Sequence, residues 1–285
     1  RHALQKDLLS DREESRVDHP GEAWGRFPEN RELRLPELES GELEGKIVDE
    51  QGKLPLNSLL NEEKEWSSAY RKVFFSLLTG YFDLSESRAE TVLSSLKDWM
   101  DPDEEPSGTR GAESGYYRRK ERPWTCRNAE LRTVAELSYI RGVSEELYSG
   151  GEEKQGLKDL TTVYGNGEIN INTASQPVLA ALVKRRETGL TWSEAKSFAQ
   201  DMIRYRRDRM HWDRLADDNW WSDVAGALSV QLHPVTGTKS AVFSVNIASR
   251  TGSVTCRSHA VLKRKSGSSE QEDSPRVKRL FYELR

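Results

Sequence analysis

Apolar positions along this chain repeat at helical spacing first and at strand spacing last. Residues 1–18 carry Leu4, Leu8 and Leu9 at helical spacing among Lys6, Asp7, Asp11, Glu13 and Glu14, the pattern of an amphipathic helix. No capping residue precedes them, so the helix is expected to continue upstream, as in a truncated or frayed terminus. Asp18-His19-Pro20-Gly21 breaks the period, and a connector rich in Pro, Glu and Gly follows. Residues 45–49 and 53–57 then read as two short strands around Gln51-Gly52, a small hairpin in which Pro55 marks an edge.

Helical spacing returns at Asn61, a suitable cap, with Trp66, Tyr70, Val73, Phe74, Leu77 and Leu78 as one stripe ending at Gly80. Ser85 opens a second helix whose Ala89, Val92, Leu93, Leu96 and Trp99 share a face. A third is expected over 128–139. The run Ile169-Asn170-Ile171-Asn172-Thr173-Ala174 alternates like a strand and leads into a helix through Val178, Leu179, Leu182 and Val183. Residues 194–205 supply its partner across Glu187-Thr188-Gly189-Leu190, a helix-hairpin-helix pattern. From Ser229 the period becomes two. Phe243, Val245 and Ile247 share one strand face, and Val254, Cys256, Ala260 and Leu262 another, with Thr251-Gly252-Ser253 turning between them. A Ser- and Glu-rich loop over 266–275 precedes a last strand over 276–284.

Strands at both ends around a helical middle give an α+β framework with an inserted α-helical domain. The division is 1–60 for the opening helix and first strands, 61–228 for the inserted domain, and 229–285 for the closing antiparallel strands.

Composition narrows the function classes. The 285 residues are 32% charged and 35% apolar with a net charge of −4, which describes a polar-surfaced protein and does not select a polyanionic partner. The longest apolar run, Val178 to Val183, falls far short of the roughly 20 residues that span a bilayer.

Three constellations carry candidate chemistry. Asp98, Asp101, Asp103, Glu104, Glu105 and Glu113 crowd a stretch whose one basic residue is Arg110. Pro102, Gly108 and Gly111 let that stretch reverse, so several carboxylates can converge on one hard divalent cation; a solvated acidic loop is the alternative. Cys126 and Cys256 lie far apart with no Cys-x-x-Cys, leaving either one long-range disulfide or two unpaired small core residues. Lys184, Arg185, Arg186, Arg204, Arg206, Arg207 and Arg209 give the hairpin region a basic face that could meet nucleic-acid phosphates. Gly189 stands alone there, however, where a phosphate grip needs closely spaced glycines. The five histidines, His2, His19, His211, His233 and His259, are scattered and no nucleophile motif occurs. A carboxylate-metal hydrolase therefore lacks a base, and no enzyme is expected. Trp220-Trp221 lies among Asp217, Asp218 and Asp223, where at least one ring is expected at the surface or in a domain junction.

In order, these segments resemble the K-type minor pseudopilins of bacterial type II secretion systems. The matching pieces are residues 47–57, then Asp98-Trp99 with Asp101 and Asp103, Gly111-Ala112-Glu113 with Tyr116 and Tyr117, Glu136-Leu137 with Gly142, Thr162-Val163-Tyr164, and Ile169 through Ala174. The resemblance implies a pilin-like fold, in which a long N-terminal helix and a small antiparallel sheet carry a large inserted helical domain. It also implies a periplasmic protein anchored in the inner membrane by a hydrophobic helix that this chain lacks. Such a protein joins other minor pseudopilins at the pseudopilus tip, caps it and helps start its assembly. By the same resemblance Asp98, Asp101, Asp103 and Glu113 are expected to bind structural Ca2+.

Overall fold

The computed structural model describes residues 17–22, 24–26, 42–226, 228–264 and 277–284. Residues 1–16 of the opening helix expected over 1–18, most of the connector and the 266–275 loop lie outside the described residues, and Val17 and Asp18 are not helical.

Four strands form an antiparallel sheet: β1 (Glu42–Asp49), β2 (Val242–Thr251), β3 (Val254–Arg264) and β4 (Val277–Leu284), in that order across the sheet. The period-two reading of the C-terminal region holds, with Gly252 at φ 59° turning β2 into β3. Phe243, Ile47, Leu262, Val277 and Trp24 form a small buried cluster on one face, and Trp24 meets Phe243 edge-on at 4.9 Å.

The expected hairpin over 45–57 does not form. β1 pairs with β2, Ile47 opposite Val245, while Leu54–Pro55 pairs parallel with Thr161–Thr162. Asp49 accepts the Gln51 amide at 2.8 Å and starts a tight 3-10 turn, Glu50–Gly52, that redirects the chain. Leu54, Leu56 and Leu59 then enter the helical core with no exposure. Alternation fixes which face of a strand is apolar, and it leaves the partner open.

The helical body follows between β1 and β2. Helix α1 (Ser68–Ser76) starts at Ser67 rather than Asn61. Asn61 instead closes a turn, its Oδ1 accepting the Glu65 amide at 2.9 Å. Val73, Phe74, Leu77 and Leu78 are buried as expected. The helix runs on as one π turn, Leu77–Tyr81, where Gly80 lets the Trp192 ring in; a Cβ there would lie 2.2 Å from it. Helix α2 (Glu86–Met100) is capped by Ser85 and buries Ala89, Val92, Leu93, Leu96 and Trp99, as its spacing requires.

The expected helix over 128–139 shrinks to a 3-10 turn, Val134–Tyr139. Asn128 sits at φ 50°, a left-handed conformation no helix continues through, and the Leu131 amide is taken by Asn57 Oδ1 at 2.9 Å. Helices α3 (Gln176–Leu182) and α4 (Trp192–Arg207) pack on each other, and α3 packs on α1. Thr191 and Glu194 form a capping box at the start of α4. One continuous apolar core joins all of these, from Leu54 to Val235, separate from the sheet's own cluster. Among the described residues no helix is long and apolar enough to cross a membrane.

A carboxylate pocket at the end of helix α2

Helix α2 delivers the first carboxylate. Apolar residues on its buried face place Asp98 one turn from its end, without exposure. Asp98 Oδ1 accepts the Ser107 amide at 2.8 Å, so the acidic loop folds back over the helix end. Gly111 makes this possible, since a Cβ there would stand 2.1 Å from Asp98 Oδ2. The loop returns with Glu113 in extended conformation at the start of a short helix, Ser114–Tyr117.

Oxygens of Asp101, Asp103 and Glu113 all lie within 4.8 Å of one another. Asp101 and Glu113 are buried, Asp103 is exposed. Among the described residues Asp98 Oδ2, Asp101 Oδ1 and both Glu113 oxygens have no hydrogen-bond partner, an arrangement that folded proteins rarely leave uncompensated. The electrostatics follow. Burial, reinforced by Asp98, Asp101 and Glu104, pushes the Glu113 carboxyl up to about 8. Burial with Asp103 and Asp98 nearby pushes Asp101 up to about 6. Ligands about 2.4 Å from one calcium ion stand no more than about 4.8 Å apart, and these three oxygens keep within that limit.

A second strand of chain supports the loop. Ser114 Oγ donates to Glu104 Oε1 at 2.9 Å and accepts the Cys126 amide at 3.1 Å. The Asn128 amide donates to the Asp103 carbonyl at 3.0 Å. Arg141 donates to the Gly111 carbonyl at 2.9 Å, and Trp99, Tyr117 and Trp124 wall the far side, rings about 5.5 Å apart. Of the four expected carboxylates the structure groups Asp101, Asp103 and Glu113, with Asp98 outside that group, and the supports Ser107, Ser114 and Asn128 follow from no local pattern.

The other candidates resolve differently. Cys126 and Cys256 are both free. Cys126 sits in the pocket's support, its thiol donating to the Ala112 carbonyl at 3.4 Å and pushed up to about 12 by burial and Glu113. Cys256 lies in β3 opposite Ser249, so the long-range disulfide is absent. The basic face is largely consumed within the fold. Arg186 pairs with Glu86 at 2.6 Å, Lys72 and Lys184 with Glu187, and Arg204 with Asp201. Arg206 is buried, donating to the Ile171 and Ala174 carbonyls at 2.6 and 2.7 Å. Trp220 is fully buried, contrary to its acidic neighbourhood, because its Nε1 donates to Asn172 Oδ1 at 2.8 Å and its ring stacks on Tyr205.

A helical body and a four-stranded antiparallel sheet define a mixed α and β protein, and its carboxylate oxygens cluster at the end of helix α2. Its relatives are components of secretion machinery. Residues 52–150 match the family model described as type II secretion system (T2SS), protein K. Type II secretion system protein K of Pseudomonas aeruginosa is 31% identical over 181 residues, 63% of this chain and 51% of the relative. That of Pectobacterium carotovorum is 28% identical over 191 residues, 64% of this chain and 54% of the relative. The chain thus spans about half the length of these curated relatives. In three dimensions it is similar to a chain in the crystal structure of the GspK-GspI-GspJ complex from the enterotoxigenic Escherichia coli type 2 secretion system. The TM-score is 0.67 at 19% identity, with 99% of this chain and 91% of the other covered. That likeness establishes the fold.

Proposed function

We propose that this chain is the periplasmic part of a minor pseudopilin that caps the pseudopilus tip of a type II secretion system and helps start its assembly. The observation that carries this reading is the bulk of the helical body, which interrupts the chain between β1 and β2. Pilin-type subunits stack along a filament axis, and a body of this size on the sheet leaves no room for a subunit above, so a terminal position avoids the clash. Strands β1 to β4 are the pilin-like part and residues 50–239 the insertion, wider than the expected 61–228 because Leu54 to Leu60 and Val230 to Val235 pack in the helical core. The partners are other minor pseudopilins, in keeping with the similar chain whose complex holds GspI and GspJ. A hydrophobic N-terminal helix preceding this chain would anchor the whole protein in the inner membrane.

Asp98, Asp101, Asp103 and Glu113 hold calcium as a structural ion in this reading, with the unpartnered buried oxygens as its support. Helix α3, the turn at Gly189 and α4 form a helix-hairpin-helix unit used for packing, since its basic side chains are engaged within the fold. The decisive experiment mixes this chain with the soluble domains of the other minor pseudopilins. Co-elution as one complex is expected, and separate elution under conditions where the partners bind one another would remove the capping proposal.

A further inference from the structure

The sheet and the helical body keep separate apolar cores, and what joins them is polar and buried. The chain leaves the sheet at Asp49, the end of β1, and returns at Ser240, just before β2. At that crossing each residue of the tetrapeptide 49–52 touches the segment 162–173. Asp49 Oδ2 accepts from Thr173 Oγ1 at 2.6 Å, from Asn170 Nδ2 at 3.2 Å and from Ser240 Oγ at 2.5 Å. Glu50 accepts from Thr162 Oγ1 at 2.6 Å, and Gln51 donates to Asn166 at 2.8 Å while accepting the Ala241 amide at 2.6 Å. Gly52 lies so close that a Cβ would stand 2.7 Å from Thr173 Oγ1.

We infer that Asp49 is the positioning residue of an orientation lock, which fixes the angle of the helical body on the sheet through directional bonds to Asn170, Thr173 and Ser240. Apolar contact is non-directional and tolerates sliding. A buried acceptor that must satisfy several donors from different segments tolerates one arrangement, because any rotation strands polar groups away from water. The Asn170 amide extends the lock to the Asp18 carbonyl at 3.1 Å and to Ser240 Oγ at 2.8 Å. Arg264, the last residue of β3, donates to the Ser240 carbonyl at 2.6 Å and to Asp18. The ends of β1 and β3, and the residues entering β2, thereby meet the segment that starts α3. A fixed angle is what a cap requires to block the position above it, a consequence that rests on the capping proposal.

The test is a spin-label distance measurement on the whole chain, with labels at Val254→Cys on the β2–β3 turn and Tyr139→Cys on the helical body, in a Cys256→Ser background. Both label positions are exposed. The parent should give a single narrow distance. Asp49→Asn preserves shape and turns an amide towards groups that donate to Asp49, so the distance is expected to broaden or split while the helical body keeps its own melting transition. A folded Asp49→Asn chain with the parental distance would overturn the inference. If that variant does not fold, Thr173→Val against Thr173→Ser decides. Broadening in the valine variant alone supports the lock, and identical distances in both refute it. Because the distance is read on the isolated chain and capping on the mixture with partners, either reading can fail without the other.

Discussion

Replacing Glu113 by glutamine tests the carboxylate pocket most directly, because the substitution changes charge and hardly changes shape. Two unit charges within 4.8 Å of each other repel by about 3 kcal/mol or more at an effective dielectric constant of about 20, and Glu113 faces both Asp101 and Asp103. Burial first, and that repulsion second, favour the protonated forms, which is why Glu113 is pushed up to about 8 and Asp101 up to about 6. Folded-state values above the ordinary 4.5 and 3.8 mean the folded chain holds these protons more tightly than the unfolded one. Their contribution is present in full at acid pH and is lost as pH rises through about 6 and about 8. At pH 8 in chelator, Glu113→Gln should therefore melt at or above the parent, by about 1 to 2 kcal/mol after allowing for screening by solvent. With calcium at about 100 times its dissociation constant the parent gains about 2.7 kcal/mol. That is about 5–10 °C in Tm for a chain of this size, and the variant should gain less. The order of the two melts thus reverses between chelator and calcium. Melting monitored by circular dichroism reads both arms. A variant less stable than the parent in chelator and in calcium alike would show that Glu113 serves as an ordinary structural group, and the repulsion argument would fail.

Other outcomes follow from individual contacts. Gly111→Ala drives a Cβ towards Asp98 Oδ2 and should cost about 1–3 kcal/mol while shrinking the calcium-induced rise in Tm; an unaltered rise would mean the loop does not shape the pocket. Asn172→Ala strands Trp220 Nε1 and the Leu215 carbonyl, and urea unfolding should show a loss of about 1–3 kcal/mol for each group left unpaired. Leu93→Ala, at a fully buried position of α2, should lose about 2–5 kcal/mol, and a loss under 1 would contradict its place in the core. Burial lowers His19 and His233 to about 4, so the unfolded chain takes up their protons first and stability falls as pH drops from 6.5 towards 4. His233→Gln should flatten part of that acid-side decline in urea titrations at pH 7 and pH 5.

Local signals in the sequence set the two long helices of the middle region and the closing strands. The stripes ending at Leu78 and at Trp99, the Ser85 cap and the Gly252 turn each state their structure within a few residues, because period and capping are short-range physics. The closeness of Asp101, Asp103 and Glu113 follows from local signals too, since the glycines that bend the acidic loop lie between them. What stayed hidden depends on partners distant in the chain. Residues 53–57 carry a strand pattern, yet Thr161–Thr162 and the helical core claim them; Asn128 breaks an apolar run by a left-handed backbone and support contacts to the acidic loop. The asparagines of Ile169 to Ala174 stood out as a motif, but their work, bonding Asp49, Ser240 and Trp220 from up to 121 residues away, exists only after the chain has closed on itself. A side chain's period is written locally. Which buried donor meets which acceptor is decided by the tertiary fold, which alone sets the direction of a hydrogen bond.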